Sequence, residues 1–209
     1  MITGLEGLNR LREGNARFVA NQMRTLEHAH ESRRAELVSG QAPFAIVLGC
    51  SDSRVPAELV FDQGFVDLFV IRVAGNIVAP SQVGSVEFAA ERYGTSLVVV
   101  MGHTQCGAIL ATIEELTGGA ASTSGNLRSI VDRVRPSVST VIAAARGGDP
   151  NALVSLAVRA NVRASVDHLR HGSALLERLI DRNGLLIVGA EYSLETGVVD
   201  FFDGPLERT

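Results

Sequence analysis

Four short runs, Phe44 to Leu48, Val66 to Val73, Ser96 to Met101 and Leu185 to Val188, carry apolar residues at successive rather than alternating positions. A strand of that kind must be covered on both faces, as it is inside a parallel sheet. The segments between the runs supply the covers. Val83 to Tyr93, Cys106 to Leu116 and Leu127 to Val134 have helical apolar spacing, and so do Val158, Val162, Val166 and Leu169. The pattern predicts an α/β fold: a central, mainly parallel sheet of four strands with helices on both faces. Glu195 to Gly197 reads as a turn into a C-terminal edge strand, Val198 to Phe202, and Asn183-Gly184 as the end of the last long helix.

Thr3 and Glu6 stand at capping-box spacing ahead of Leu8, Leu11, Phe18 and Val19, which predicts a helix from Thr3 to Val19. It precedes every strand, so it is expected to lack a sheet of its own to cover and to clasp a partner subunit. The polar stretch Thr25 to Gln41 follows. Residues 1–40 therefore read as a helical arm and lead-in, and 41–209 as the sheet core of one domain. The breaks at Gly118 to Asn126 and Gly147 to Pro150 are too short for domain linkers.

A chain of 209 residues that is 46% hydrophobic can bury one substantial core. Its formal charge of −4 supplies no basic field, so neither nucleic acid nor an anionic membrane is expected as a partner. Met1 to Asn15 lacks the apolar stretch of a signal peptide, and no 18 apolar residues run together. A soluble, cytoplasmic protein is the expectation. Two cysteines cannot staple a chain of this length, and in a reducing compartment both stay thiols, so their role comes from their surroundings.

Those surroundings are informative. Gly49-Cys50-Ser51-Asp52-Ser53-Arg54 begins where the first predicted strand ends, and Gly102-His103-Thr104-Gln105-Cys106-Gly107 where the third ends. Ligands bind outside the carboxyl ends of open parallel sheets, so the two motifs are candidates for a single site. Two thiolates and an imidazole form a zinc donor set that leaves a fourth position for water or another group. A cysteine after an apolar strand is ordinarily a small core residue. Two cysteines, a histidine, an aspartate and an arginine at equivalent strand ends is a different matter. Arg54, two residues from Asp52, can hold that carboxylate in a bidentate pair and keep it off a metal. The start of the Cys106 to Leu116 helix favours a thiolate at Cys106, and Ile109, Ile113 and Leu116 read as its packing face.

The pair Cys-x-Asp-x-Arg and His-x-x-Cys resembles the β-carbonic anhydrases. Gly14-Asn15-Ala16-Arg17-Phe18, Phe69-Val70-Ile71-Arg72-Val73-Ala74-Gly75-Asn76 and Gly189-Ala190-Glu191-Tyr192 extend the resemblance over nearly the whole chain. It implies one zinc ion per chain on Cys50, His103 and Cys106, with Asp52 either a fourth ligand or paired to Arg54. It implies reversible hydration of carbon dioxide to bicarbonate by a zinc-held hydroxide that Asp52 orients. Gln41 and the backbone N–H of Gly107 would donate hydrogen bonds to substrate oxygen, and Phe69 and Phe88 would line the carbon dioxide pocket from across a subunit boundary. A homodimer, often paired again into a tetramer, follows from the same resemblance.

One branch of that family carries a Trp three residues before the first Cys, as part of a bicarbonate pocket that locks the site shut. This chain has Val47 there and no Trp, which favours the branch with an open site, although Arg72 and Tyr192 occupy other positions of that pocket. Two thiolates donate charge to a metal, so activity is expected to rise into the mildly alkaline range. Two alternatives keep the same motifs: a hydrolase of carbonyl sulfide or carbon disulfide, and a non-catalytic zinc protein closed by Asp52. His28 and His30 read as solvated rather than as a proton relay, and His168 and His171 as exposed helix residues.

Overall fold

The computed structural model describes residues 2–24, 37–120, 124–145 and 149–204. His28, His30 and most of the polar lead-in lie outside the described residues. Strands β1 (Ala45–Gly49), β2 (Leu68–Arg72), β3 (Leu97–His103), β4 (Leu186–Tyr192) and β5 (Val199–Asp203) form one sheet in the order β2-β1-β3-β4-β5. The first four are parallel and β5 runs antiparallel to β4 at the edge. The α/β architecture expected from the apolar runs is the one observed. β1 and β3 are buried along their whole length, as strands covered on both faces must be.

The two faces have different covers. Ile46, Leu48, Val98, Val100 and Ile187 meet α3 (Pro80–Tyr93), α6 (Pro150–His171) and α7 (Ala174–Asn183). Ala45, Val47, Leu97, Val99 and Val188 meet Leu8 and Leu11 of α1 (Gly4–Val19), together with Val60 of the one-turn α2 (Ala57–Val60). The capping box of Thr3 and Glu6 is formed in both halves. The expectation that α1 has no sheet of its own is overturned. The β1-to-β2 connection is too short to cover its face, and α1 fills the space. Gly14 makes this close approach possible, since a Cβ there would lie 1.8 Å from the carbonyl oxygen of Phe61. Asn15 bonds to the Val60 and Gly197 carbonyls and to the Val199 N–H, and Arg17 pairs with the buried carboxylate of Asp62.

Two helices differ from their sequence patterns. α5 (Gly125–Ala144) runs through Pro136, because Val131, Val134 and Val138 continue the buried stripe past it. Packing of that face outweighs the roughly 3 kcal/mol cost of an internal proline. The expected last long helix divides at Gly172, where Ser173 caps α7 through Leu176 N–H. Its end at Asn183, with Gly184 left-handed, is as read from the sequence. Among the described residues no helix is long and apolar enough to cross a membrane.

Candidate metal centre

The connections leaving β1 and β3 pass to opposite faces of the sheet, which opens a crevice between the carboxyl ends of these neighbouring strands. Cys50 follows β1, His103 closes β3, and Cys106 caps α4 (Gly107–Leu116). The left-handed turn at Gln105 (φ 56°) brings Cys106 back beside His103. One donor atom from each of Cys50, His103 and Cys106 lies within 4.8 Å of the others. All three residues are buried, under a layer formed by Ile109, Val134, Val138 and Val158.

His103 Nδ1 lies 2.9 Å from the carbonyl oxygen of Thr104, a contact that needs the N–H on Nδ1 and leaves a lone pair on Nε2. Nε2 is fully buried, has no hydrogen-bond partner and faces the two sulfurs. An orphaned acceptor against two thiols fits a soft or borderline divalent metal such as zinc. The Sγ atoms of Cys50 and Cys106 are 4.0 Å apart. The hydrogen bond from the Cys106 thiol pulls Cys50 below the ordinary thiol range against the effect of burial, and the N–H groups of Asp52 and Gly75 add to that pull. The same contact, with burial, pushes Cys106 above the ordinary thiol range. The N–H groups of Ile109 and Ala108 at the start of α4 pull Cys106 downwards but less strongly, so the thiolate expected there from the helix start is outweighed by Cys50 and burial.

Asp52 lies at the mouth of the cluster, with Oδ2 3.8 Å from His103 Nε2. Its carboxylate is turned to Arg54: Nε donates to Oδ1 at 2.9 Å, Nη2 to Oδ2 at 2.7 Å, and the Arg54 backbone N–H to Oδ1 at 3.0 Å. The Arg54 hydrogen bonds hold the Asp52 carboxyl well below the usual carboxylate range. Gly107 opens α4 beside Cys106, exposed and with open space over its Cα.

Gln41, Phe69 and Phe88 gather elsewhere. Phe69 on β2, Phe88 on α3 and Tyr93 form a ring cluster with centroids 5.6–6.3 Å apart, and Gln41 donates to the Tyr93 hydroxyl at 3.0 Å. Phe88 is 52% exposed on this edge of the sheet. Phe69 is three residues before the end of β2, about 10 Å down the strand. Among the described residues, no hydrogen bond joins this group to the Cys50 cluster. Nor are Arg72 and Tyr192 joined, since Tyr192 packs on Phe18 of α1.

Residues 45–199 match the sequence profile of the family described as carbonic anhydrase. The chain belongs to the β-carbonic anhydrases. It is 38% identical over 189 residues to carbonic anhydrase 2 of Mycobacterium tuberculosis, which spans 90% of this chain and 87% of the relative. A β-carbonic anhydrase of Aspergillus fumigatus superposes with a TM-score of 0.76 at 24% identity, over 92% of this chain and 88% of that one. A tetrameric β-carbonic anhydrase of Sordaria macrospora does so with a TM-score of 0.74 at 20% identity, over 94% and 97%.

Several residues of the centre carry roles that the motifs alone did not assign. Gly75 (φ 68°) donates its N–H to Cys50 Sγ at 3.4 Å, and Asn161 and Ser165 of α6 brace the carbonyls of Gly75 and Asn76. The Gly-Asn pair after a strand was a turn signal that could have found them. The Thr104 hydroxyl accepts from Leu194 N–H and donates to Glu195, which ties the histidine's neighbour to the β4–β5 turn. Nothing in the sequence spacing pointed to that tie.

Proposed function

We propose that this chain catalyses the reversible hydration of carbon dioxide to bicarbonate and a proton, with one zinc ion per chain held by Cys50, His103 and Cys106. The observation that carries the reading is the buried, unpartnered Nε2 of His103 converging with two thiol sulfurs. Zinc in such a site acidifies a coordinated water and so supplies a hydroxide nucleophile.

The chain's own residues do the rest. Asp52, kept ionised by Arg54, accepts a hydrogen bond from the O–H of the attacking water and so aims a lone pair at the substrate carbon. The pairing keeps the carboxylate away from the fourth metal position, which favours the open-site type and argues against a permanently closed structural site. The Gly107 N–H, at the start of a helix where no intrahelical acceptor exists, donates to a substrate oxygen.

Gln41, Phe69 and Phe88 act on the centre of a second copy. The exposure of Gln41 and Phe88 beside Phe69 on the β2 edge supports this, because a pocket wall of this kind has no use in an isolated chain. A homodimer is the smallest assembly that satisfies it, and the tetrameric relative of the same fold supports further pairing. Two buried cysteines that are not joined in a disulfide suit a reducing cytoplasm.

The test is zinc content with stopped-flow carbon dioxide hydration from pH 6.5 to 9, for the parent and Asp52→Asn. One zinc per chain, activity rising with pH, and a loss of about 100-fold in the metal-loaded variant are expected. A chain that holds no zinc, or a flat pH profile, would sink the reading.

A further inference from the structure

Arg72 ends β2 and stands in register opposite Gly49, the last residue of β1. Its guanidinium crosses the end of β1. Nε donates to the carbonyl oxygen of Cys50 at 3.0 Å, and Nη2 to that of Asp52 at 2.6 Å. These two oxygens flank Ser51, in the turn that carries both a cluster sulfur and the carboxylate at its mouth. Among the described residues no carboxylate forms an ion pair with Arg72, so its charge is directed at two peptide carbonyls. The chain just beyond it grips the same turn twice more, through Val73 N–H to the Gly49 carbonyl at 3.1 Å and Gly75 N–H to Cys50 Sγ at 3.4 Å.

A planar guanidinium holds two acceptors at a fixed spacing, which a lysine ammonium, a single point of charge, cannot do. The turn has few other ties. Val55 N–H donates to the Asp52 carbonyl at 3.1 Å, Arg54 holds the Asp52 carboxylate from within the same turn, and Arg54 Nη2 reaches the Gln105 carbonyl at 3.4 Å. From this geometry we propose that Arg72 is a positioning residue for the metal centre. Its fork fixes the Cys50–Asp52 backbone so that Cys50 Sγ faces His103 and Cys106 while the Asp52 carboxylate stays on Arg54. The proposal rests on the zinc reading above. It assigns one residue two consequences, metal affinity and the state of Asp52.

The test uses the full chain stripped of metal. Zn2+ affinity is read by chelator competition, and Co2+ by its visible absorption, for the parent, Arg72→Met, Arg72→Lys and the double variant Arg72→Met with Asp52→Asn. Arg72→Met is expected to weaken Zn2+ binding by about 10- to 100-fold, as loss of an outer partner of a ligand does, with Arg72→Lys between it and the parent. The Co2+ spectrum of Arg72→Met should change as the freed carboxylate enters the coordination, and adding Asp52→Asn should reverse that change. A generally loosened fold would not be reversed by removing one carboxylate charge. If Arg72→Met fails to fold, Arg72→Lys carries the same comparison.

Zn2+ affinity within about twofold of the parent, or a Co2+ spectral change that persists in the double variant, overturns the proposal. So does a variant that loses only its sensitivity to added bicarbonate. A parent that binds no Zn2+ overturns the zinc reading and this proposal together. A parent that binds it, with variants that bind it equally well, overturns the role of Arg72 alone.

Discussion

The Cys50–His103–Cys106 cluster and the Gln41–Phe69–Phe88 patch are set on the same sheet and belong to the same expected reaction, yet they are finished to different degrees. The cluster is complete within one chain: its donors are buried, its turns are braced by β2 and α6, and the carboxylate at its mouth is already paired. The patch is built but uncovered, with Phe88 half exposed and Gln41, among the described residues, bonded to the Tyr93 hydroxyl. On the proposed reading, metal binding and substrate enclosure are separable: the first would depend on one chain's strand ends, and the second on a neighbour's edge strand.

The sharpest way to break that contrast is Phe88→Asp. A charge in the middle of an apolar contact between copies should cost about 2–4 kcal/mol, weakening self-association by about 30- to 1,000-fold. Sedimentation at micromolar concentration should show a smaller species than the parent, with carbon dioxide hydration reduced in step. Zinc content should stay at one per chain. If the variant is as large as the parent and equally active, the patch is not a shared wall. If zinc is lost with association, the two properties are not separable.

The sequence was most legible where physics is local. The capping box of Thr3 and Glu6, the left-handed stop at Gly184 and the buried strands each depend on residues a few positions apart. The chemistry was legible for the same reason: Cys50 and Asp52 share one turn, His103 and Cys106 another, and the sheet only had to bring two strand ends together. What stayed hidden depends on distant partners. Nothing near Leu8 or Leu11 says which sheet they cover, because that depends on the shortness of a connection about fifty residues further on. Pro136 reads as a helix stop until the packing of Val138 on the same stripe is known. The forked contact of Arg72 joins residues 20 and 22 positions away, which no spacing pattern marks.

The placement of α1 sharpens the comparison, since it assigns the arm to the finished part of the molecule. In Gly14→Ala the new methyl would meet the Phe61 carbonyl at 1.8 Å, so the helix must move off its sheet. Overpacking of this kind costs about 1–3 kcal/mol, despite the better helix propensity of alanine. For a chain of this size the thermal midpoint should fall by about 2–4 °C per kcal/mol. The fall should be equal in the parent and in the Phe88→Asp background, because the two sites act independently. A fall seen only in the associated form would return α1 to the role of a clasp between copies.

The smallest effect is a proton count, and it tests the finished cluster directly. Cys50, pulled below the ordinary thiol range by its contact with Cys106, is expected to be a thiolate at pH 7 and to have no proton to give up to an arriving metal. Cys106, pushed up by that contact and by burial, still holds its proton at pH 7 and must release it. Zinc binding at pH 7 should therefore release about one proton per metal, rather than the two expected from ordinary thiols. The linkage has a definite sign: affinity should rise with pH by about tenfold per unit while Cys106 alone is losing its proton, and fall more steeply in acid once Cys50 is protonated too. Calorimetry of zinc binding to the stripped protein, in buffers of different ionisation enthalpy, gives the count. Release of two protons would mean that the thiols do not share one before the metal arrives. The same count in Phe88→Asp would show that this chemistry needs nothing from the second chain.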